Sequence, residues 1–442
     1  MNEELTIECK WLGRDTGSTV ERSFYAEIGL AVGKDWLTLL EDIEASTVRD
    51  HVRACGYHLA QWFAANWWRL RWEPEVKYWR RDADWRIAHS VAGAGGGYVW
   101  PNVVFASDGD SLAVASFPKN KGAAFERVRY LNRVLTRITA SEFEQKVDSF
   151  MEGMLSRMHS FGLEGDNLPS LWAEVQAERH DPEAKQWRKL EALSGYDPDE
   201  APADIIEMLL ADRSNLGGKA LEEVAAQGRH STADVLRQIL ELANSGVKPT
   251  AGGFRGKMPE LTSRKQKKDD INERPWRQAT KLAQLARREW GLGQRQITNR
   301  QLADLMGTKP AVFSDQVKAA TPMPLMLRSK TNDVFDLYFD SSWSTSRRFS
   351  SCRLLGDHLY QSDDGRLIPA TNAKTSRQQF QRAFAQEFLC PFDALLEKIQ
   401  TDQPDEEDIA EAAAHFDVSP LMVRTTLVNK GELDRETLTW FT

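Results

Sequence analysis

The sequence predicts an α+β protein that is mostly helical. Near the N-terminus, Leu5–Trp11 and Phe24–Val32 are short alternating or apolar runs of the kind that form strands. Residues 103–114 contain Asp-Gly between two apolar runs, which predicts a β-hairpin with a two-residue turn. From about Gly122 to Val247 the apolar spacing is helical instead, and Gly, Pro and Asp mark the helix ends.

These patterns divide the chain into four segments. Residues 1–118 are predicted to form a Trp-rich α+β domain, and residues 119–248 a helical module. Residues 249–274 are rich in Gly, Pro and charge and predict a linker, including a basic cluster at 264–268. Residues 275–442 form the last predicted domain.

The helices predicted before the linker follow from apolar spacing. One is expected over Thr47–Arg71 in the first domain. The helical module is expected to contain Phe125–Leu135, Ser141–Phe161, Pro169–Arg179, Ala184–Leu193, Ala203–Leu210, Lys219–Ala226 and Ser231–Leu242. The module carries no recognisable catalytic motif, which favours a spacer or docking role.

Tryptophan and arginine are concentrated between residues 62 and 100. The tryptophans are Trp62, Trp67, Trp68, Trp72, Trp79, Trp85 and Trp100. Both residue types are favoured at binding hot spots and on base-stacking platforms. The residues considered for such an N-terminal surface are Trp67, Trp68, Arg69 and Arg71. The other interpretation, which we favour for most of the rings, is a small hydrophobic core.

The composition argues against several classes of protein. A net charge of −8 over 442 residues does not favour a general nucleic-acid binder, because phosphate contacts dominate that affinity. The four cysteines lack CxxC spacing, so neither a disulfide framework nor a cysteine zinc site is expected. The acidic start lacks an apolar signal region and no apolar run reaches the ~20 residues of a membrane span. We expect a cytoplasmic protein with no membrane association.

The segment Arg347–Tyr360 resembles the helix of a zinc peptidase in its sequence pattern but lacks the residues that bind zinc. Such a helix carries His-Glu-x-x-His, in which two imidazoles share one face and the Glu activates a metal-bound water. The corresponding window here begins at Arg353 and ends at Asp357, with Leu354 in the place of the base. Shifting the frame to include His358 restores neither a second histidine nor a base.

Three blocks of the C-terminal region resemble the ImmA/IrrE family of bacterial zinc metallopeptidases. The blocks are Pro275-Trp276 with Ile297–Gly307, Arg348–Ser350 with Leu355-Gly356, and Ala383–Pro391 with Ala410–Gly431. The resemblance implies a zincin-like domain. In the family a third ligand, a Glu, stands where this chain has Phe380.

The replacements form a consistent set. We expect no metal and no cofactor, since Arg, Leu and Phe cannot coordinate zinc. Arg353 and Asp357 are one helical turn apart and are expected to pair, while Leu354 and Phe380 fill the vacated space. We call Arg353, Leu354, Asp357, His358 and Phe380 the vestigial cleft.

The resemblance implies a catalytically inactive, peptidase-like regulatory protein. Family members recognise a repressor or antitoxin, so the expected partner is another protein, encoded nearby, in bacterial phage defence or stress regulation. Strand addition to a sheet edge is one expected binding mode.

Two alternatives stay open. In one, the Trp-rich N-terminal domain carries the main binding activity, for protein or nucleic acid. In the other, the chain is a zinc metallopeptidase with relocated ligands. The ligands considered are Asp357, His358, Asp363, Asp364 and Glu387.

Overall fold

The fold is α+β, as predicted, and its sheets are small and antiparallel. The computed structural model describes residues 4–75, 83–118, 127–163, 165–229, 232–245, 249, 252–262, 273–314, 321–329, 334–360 and 365–434. Two compact units are present, one of residues 1–206 with 373–375 and the other of residues 207–372 with 376–442. The predicted helical module is therefore divided between the two units. Trp79, the basic cluster at 264–268 and Asp363 and Asp364 lie outside the described residues.

Strands of the first unit form three antiparallel sheets. They are β1 (Leu5–Trp11), β2 (Tyr25–Val32), β3 (Asp35–Trp36), β4 (Leu40–Asp42), β5 (Thr47–Arg49), β6 (Val52–Cys55), β7 (Val103–Ser107), β8 (Ser111–Ser116), β9 (Val128–Tyr130) and β10 (Val134–Thr139). β2 pairs with β1 on one side and with β3 and β6 on the other. The other two sheets have the orders β10-β8-β7 and β5-β4-β9.

The predicted strands at β1 and β2 and the β7–β8 hairpin are confirmed. Asp108 N–H donates to Ser111 O at 2.9 Å, which makes Gly109 and Asp110 the two turn residues rather than Asp108 and Gly109. Gly109 has a φ of 99°, a region that glycine adopts without a steric penalty.

Helices of the first unit surround these sheets. They are α1 (Thr19–Phe24), α2 (Gly56–Trp72), α3 (Ala83–His89), α4 (Ala140–Ser160), α5 (Asn167–His180) and α6 (Pro182–Leu193), with a 3₁₀ turn at Val91–Ala94. α4, α5 and α6 confirm the predicted helices within a few residues. α4 begins where the Thr139 hydroxyl accepts a hydrogen bond from Glu142 N–H at 3.1 Å, an N-cap of the usual kind.

Two predicted helices are wrong in part. The region Thr47–Cys55 is not helical but forms β5 and β6, and only Gly56 onward is helix. The described part of Phe125–Leu135 is not a helix, because it contributes β9 and the start of β10. Both segments are short, and short apolar runs do not distinguish a strand from a helix without their pairing partners.

The second unit is mainly helical. Its helices are α8 (Arg213–Leu216), α9 (Gly218–Ala225), α10 (Thr232–Ser245), α11 (Pro275–Glu289), α12 (Asn299–Leu305), α13 (Ser344–Tyr360), α14 (Ser376–Leu389), α15 (Phe392–Ile399), α16 (Glu406–Phe416) and α17 (Pro420–Lys430). A further helix, α7 (Ala203–Ala211), includes the boundary between the units, and Pro310–Phe313 is a 3₁₀ turn. Within the described ranges, every helix is either too short or too polar to span a lipid bilayer.

One antiparallel sheet belongs to the second unit. Its strands are β11 (Gly253–Gly256), β12 (Leu325–Arg328), β13 (Phe335–Tyr338) and β14 (Leu367–Pro369), in the order β11-β13-β12-β14. β11 lies within residues 249–274, so part of the predicted linker is a strand of this sheet. The short segment was missed because Gly flanks it on both sides, a pattern that favours a loop.

Local capping signals in the second unit are confirmed. Thr298 and Gln301 form the predicted capping box at the start of α12, and Ser419 caps α17 ahead of Pro420. Each such cap contributes roughly 0.5–2 kcal/mol.

Candidate functional site

The vestigial cleft lies on α13 and α14, which pack closely at Gly356. A Cβ at Gly356 would lie 2.4 Å from Cγ of Phe384, so only glycine permits this approach of the two helices. Phe384 is fully buried and stacks on Phe388, with ring centroids 5.4 Å apart. Gly356, in the Leu355-Gly356 pair of the second sequence block, therefore has a packing role.

The first half of α13 is anchored by two buried arginines. Arg348 is fully buried, and its three guanidinium nitrogens donate to Asp417 O, the Asn299 side chain and Ile297 O at 2.6–3.0 Å. Arg347 donates to Ser341 O at 2.9 Å and to Val312 O at 2.6 Å. Since buried guanidinium groups are costly unless hydrogen-bonded, these contacts fix the start of the helix.

Arg353 uses only one of its guanidinium nitrogens, whereas each of these two anchors uses at least two. It is 6% exposed, and its Nη2 donates to Thr371 O at 2.6 Å and to Gln378 Oε1 at 2.5 Å. Its Nε is buried and has no partner within the described structure. Burial, reinforced by the charge of Arg382, lowers the pKa of Arg353 well below its usual range. The group stays charged at neutral pH, and the shift reflects a destabilised charge.

The expected Arg353–Asp357 pair is wrong. Asp357 is fully buried and accepts hydrogen bonds from Arg377 instead, from Nε at 3.1 Å to both carboxylate oxygens and from Nη2 at 2.6 Å. A bidentate pair between two helices has better geometry than an i,i+4 contact along one helix. Sequence spacing placed Asp357 in the vestigial cleft but did not predict its partner, Arg377, which lies 20 residues later.

The remaining cleft residues are in apolar surroundings. Leu354 is fully buried in the core of the second unit, as expected for a residue that fills space. Phe380 is 3% exposed and stacks on Tyr360 with ring centroids 4.1 Å apart. The His358 ring lies edge-on to Phe335, with 4.9 Å between centroids.

This arrangement does not fit zinc. Leu354 and Phe380 have no donor atom, Arg353 is a cation, and both oxygens of Asp357 accept from Arg377. A catalytic zinc requires three protein ligands and an open position. No group of three His, Cys, Asp or Glu side chains with metal-binding geometry occurs among the described residues.

The ligands considered for a relocated site are not brought together where they are described. Glu387 accepts from the Gln284 amide at 2.9 Å, on the α11 side of α14. Asp357 is held by Arg377, and His358 packs on Phe335. The other two, Asp363 and Asp364, lie outside the described residues.

One of the two edge strands of this sheet, β14, is covered, and strand addition as a binding mode stays a prediction. All three residues of β14 are buried, and Pro369 O accepts from the side-chain amides of Gln378 at 3.2 Å and Gln381 at 2.9 Å. This cover could not be predicted from the sequence, because amide side chains on an apolar helix face have no distinctive spacing.

Trp343 is the most exposed large hydrophobic side chain among those described in the second unit, with 68% of its surface accessible. It directly precedes α13, and its N–H donates to Ser341 Oγ at 3.2 Å. Trp343 was not among the site residues predicted from the sequence, although an isolated tryptophan between serines is an unusual surface residue. Exposed tryptophans are favoured anchors of protein interfaces.

The residues considered for an N-terminal surface are buried, so that interpretation is wrong for them. Trp67, Trp68 and Arg69 are at most 2% exposed and Arg71 is 8% exposed. Trp68 Nε1 donates to Glu178 at 2.8 Å, and the Arg179 guanidinium lies 4.4 Å from the Trp67 ring. The core interpretation is confirmed for these rings.

Arg69 instead organises a buried ionic network in the first unit. Its Nε donates to Glu73 at 2.6 Å, and its Nη1 lies 3.2 Å from Asp84 and 3.3 Å from Asp197. Glu73 also contacts His89 Nε2 at 2.9 Å. The Arg69–Glu73 spacing of four residues was the available sequence signal for this pair.

Comparisons of the chain with protein families, curated proteins and solved structures give no match. The resemblance to the ImmA/IrrE family thus rests on the three sequence blocks and stays a prediction.

Proposed function

We propose that this chain is a catalytically inactive, peptidase-like protein that recognises a partner protein. The observation that carries the proposal is the vestigial cleft, where every side chain at a family ligand or base position is committed to packing or to an internal partner. Arg353 is bonded to Thr371 and Gln378, and Asp357 to Arg377. A site in this state has no water-activating group, which favours a binding role.

Arg348 supports the resemblance on which the proposal depends. Its guanidinium bonds Ile297 O and Asn299, in the first sequence block, and Asp417 O, in the third. Arg348 itself belongs to the second block. One buried side chain therefore joins the three segments, which gives a physical reason for their joint occurrence in the chain.

The proposed partner is a repressor, antitoxin or defence component of a bacterial phage-defence or stress-response system. We propose that the partner contacts Trp343 and the start of α13, because this tryptophan presents a large apolar surface directly before an anchored helix. Truncating a hot-spot tryptophan costs 2 kcal/mol or more in binding, roughly a 30-fold loss of affinity.

Affinity capture from the native host tests this function. The full chain, Trp343→Ala and the control Leu421→Ala, a substitution of another exposed apolar residue of the second unit, are compared by quantitative mass spectrometry. We expect one intact protein to be enriched by wild type and Leu421→Ala and strongly reduced with Trp343→Ala. Recovery of a cleaved partner, or zinc-dependent cleavage by purified protein, would contradict the inactive assignment.

A further inference from the structure

A pocket in the first unit combines three arginines with two exposed aromatic rings. It has a volume of about 440 Å³ and lies where the end of β1, the start of α1 and the C-terminal end of α4 meet. Its principal lining residues are Trp11, Arg14, Arg22, Arg157 and Phe161. Pockets of roughly 300–1,000 Å³ are typical of small-molecule sites.

The three arginines have no carboxylate partner within 4.0 Å in the described structure. Other arginines of this unit do, as Arg53 with Glu27 at 3.0 Å and Arg179 with Asp148 at 2.6 Å show. Asp15 is the one carboxylate among the described lining residues and Glu21 lies near Arg14, so three cations face two anions. This excess is notable in a chain whose net charge is −8.

Arg157 is held in a fixed orientation. Its Nε donates to Ser23 O at 2.7 Å, and its guanidinium centre lies 4.1 Å from the Trp11 ring and 5.0 Å from the Phe161 ring. Its two terminal nitrogens make no hydrogen bond within the described part of the chain. Burial lowers the pKa of Arg157, so an anion at these nitrogens would stabilise its charge.

Arg14 and Arg22 also line the pocket and are exposed. Arg14 is placed by the Tyr25 ring, 5.1 Å from its guanidinium centre, and by a 3.1 Å hydrogen bond to the Tyr98 hydroxyl. Arg22 makes no contact of this kind with any described residue. Guanidinium groups from separate elements suit a phosphate group, which accepts several hydrogen bonds in different directions.

The aromatic rings add a second recognition feature. Trp11 is 36% exposed and Phe161 is 49% exposed, although both are large apolar side chains. Exposed aromatic surface beside arginine is a platform on which nucleobases stack. We propose that this pocket binds a nucleoside monophosphate, with the phosphate at Arg14, Arg22 and Arg157 and the base against Trp11 and Phe161.

Isothermal titration calorimetry of the full-length protein tests this site. The ligands are AMP, adenosine, inorganic phosphate and a short 5′-phosphorylated single-stranded oligonucleotide. We expect AMP to bind at least about tenfold more tightly than adenosine or phosphate, because only AMP uses both parts of the pocket.

Two double variants separate the pocket from general charge. Arg14→Ala with Arg22→Ala removes two exposed arginines and is expected to weaken AMP binding by about tenfold or more. Arg53→Ala with Arg127→Ala removes the same charge from exposed positions of the same unit and is expected to change it by less than about twofold. Trp11→Ala is expected to weaken AMP binding more than phosphate binding, because it removes the stacking surface for the base as well as one ring that orients Arg157.

Several outcomes would overturn the proposal. They are no AMP binding, equal affinity for AMP and phosphate, binding of the oligonucleotide alone, and equal loss in the two double variants. Circular dichroism of each variant establishes that the fold is retained. The proposal does not depend on the partner-binding function, since the variants lie in the other unit and leave Trp343 intact.

Discussion

Arg69 in the first unit and Arg353 in the second are both buried arginines on helices, yet their surroundings differ in charge. Burial opposes the charge on Arg69, but the carboxylates of Glu73, Asp197 and Asp84 outweigh it and raise its pKa. Arg353 bonds only neutral oxygens, and burial with the nearby Arg382 lowers its pKa despite more distant carboxylates.

The difference shows what each arginine contributes. Arg69 neutralises a set of carboxylates, so the network fails when it is removed. Arg353 forms no ion pair within 4.0 Å among the described residues, so its removal breaks none, and Asp357 is held by Arg377. A buried arginine is therefore not evidence of stabilisation until its acceptors are known.

Arg69→Met is the largest expected effect. The substitution leaves Glu73 buried with only His89 beside it, and we expect the free energy of unfolding of the first unit to fall by about 3–5 kcal/mol. Urea denaturation followed by tryptophan fluorescence measures this, because most of the tryptophans lie in the first unit. The control Arg53→Met alters an exposed pair and should change stability by less than about 1 kcal/mol. Equal effects of the two variants would contradict the network.

Glu73→Gln tests how the carboxylate of Glu73 makes the stability of this network depend on pH. Burial alone would raise the pKa of Glu73, but His89 and Arg69 outweigh it and lower the pKa below its usual 4.5. The unfolded chain then binds this proton more readily, so the stabilisation is complete above pH 4.5 and is lost as pH falls through the folded-state pKa. We expect Glu73→Gln to flatten the dependence of stability on pH below 4.5. Parallel acid-unfolding curves for wild type and variant would refute this.

Asp357→Asn tests whether the vestigial cleft is held by the Arg377 pair. The amide keeps one acceptor but loses the charge, and we expect a loss of roughly 1.5–3 kcal/mol. Urea denaturation followed by far-ultraviolet circular dichroism measures this as a shift of one transition, because both units contain helices, and tryptophan fluorescence reports mainly the first unit as an internal reference. An unchanged midpoint would mean that the pair does not hold α13 against α14.

Arg353→Met is the smallest expected effect. Removing a buried cation that has only neutral acceptors should change the free energy of unfolding by less than about 1 kcal/mol, in either direction. Arg348→Met, on the same helix, removes a guanidinium with three bonded nitrogens and serves as the matched comparison. We expect it to be clearly more destabilising than Arg353→Met, and the reverse order would contradict the account.

Local signals in the sequence predicted much of the helical structure. The helix predicted from apolar spacing at α4 and the capping box predicted at α12 were correct, because the residues that determine them lie within a few positions of each other. β6 and β9 were missed because their pairing partners are distant in sequence. β5 pairs with the nearby β4, but its three residues are too short a run to distinguish a strand from a helix.

The burial of two residues of the vestigial cleft could be predicted from the sequence, but the hydrogen-bond partners of the cleft could not. Burial of Leu354 and Phe380 followed from replacing polar ligands with hydrocarbon. The Asp357–Arg377 pair and the amides of Gln378 and Gln381 depend on how α14 crosses α13, which no spacing along one helix specifies. The number of tryptophans in a segment did not predict their exposure either. Trp68, in the tryptophan-rich segment, is buried, whereas the isolated Trp343 is exposed.

Metal content of the purified full chain tests the inactive assignment most directly. The protein is expressed with added zinc, dialysed and analysed by inductively coupled plasma mass spectrometry, with Asp357→Asn and His358→Ala prepared in parallel. We predict far less than one zinc per chain in all three proteins. One zinc per wild-type chain, lost in either variant, would contradict the account.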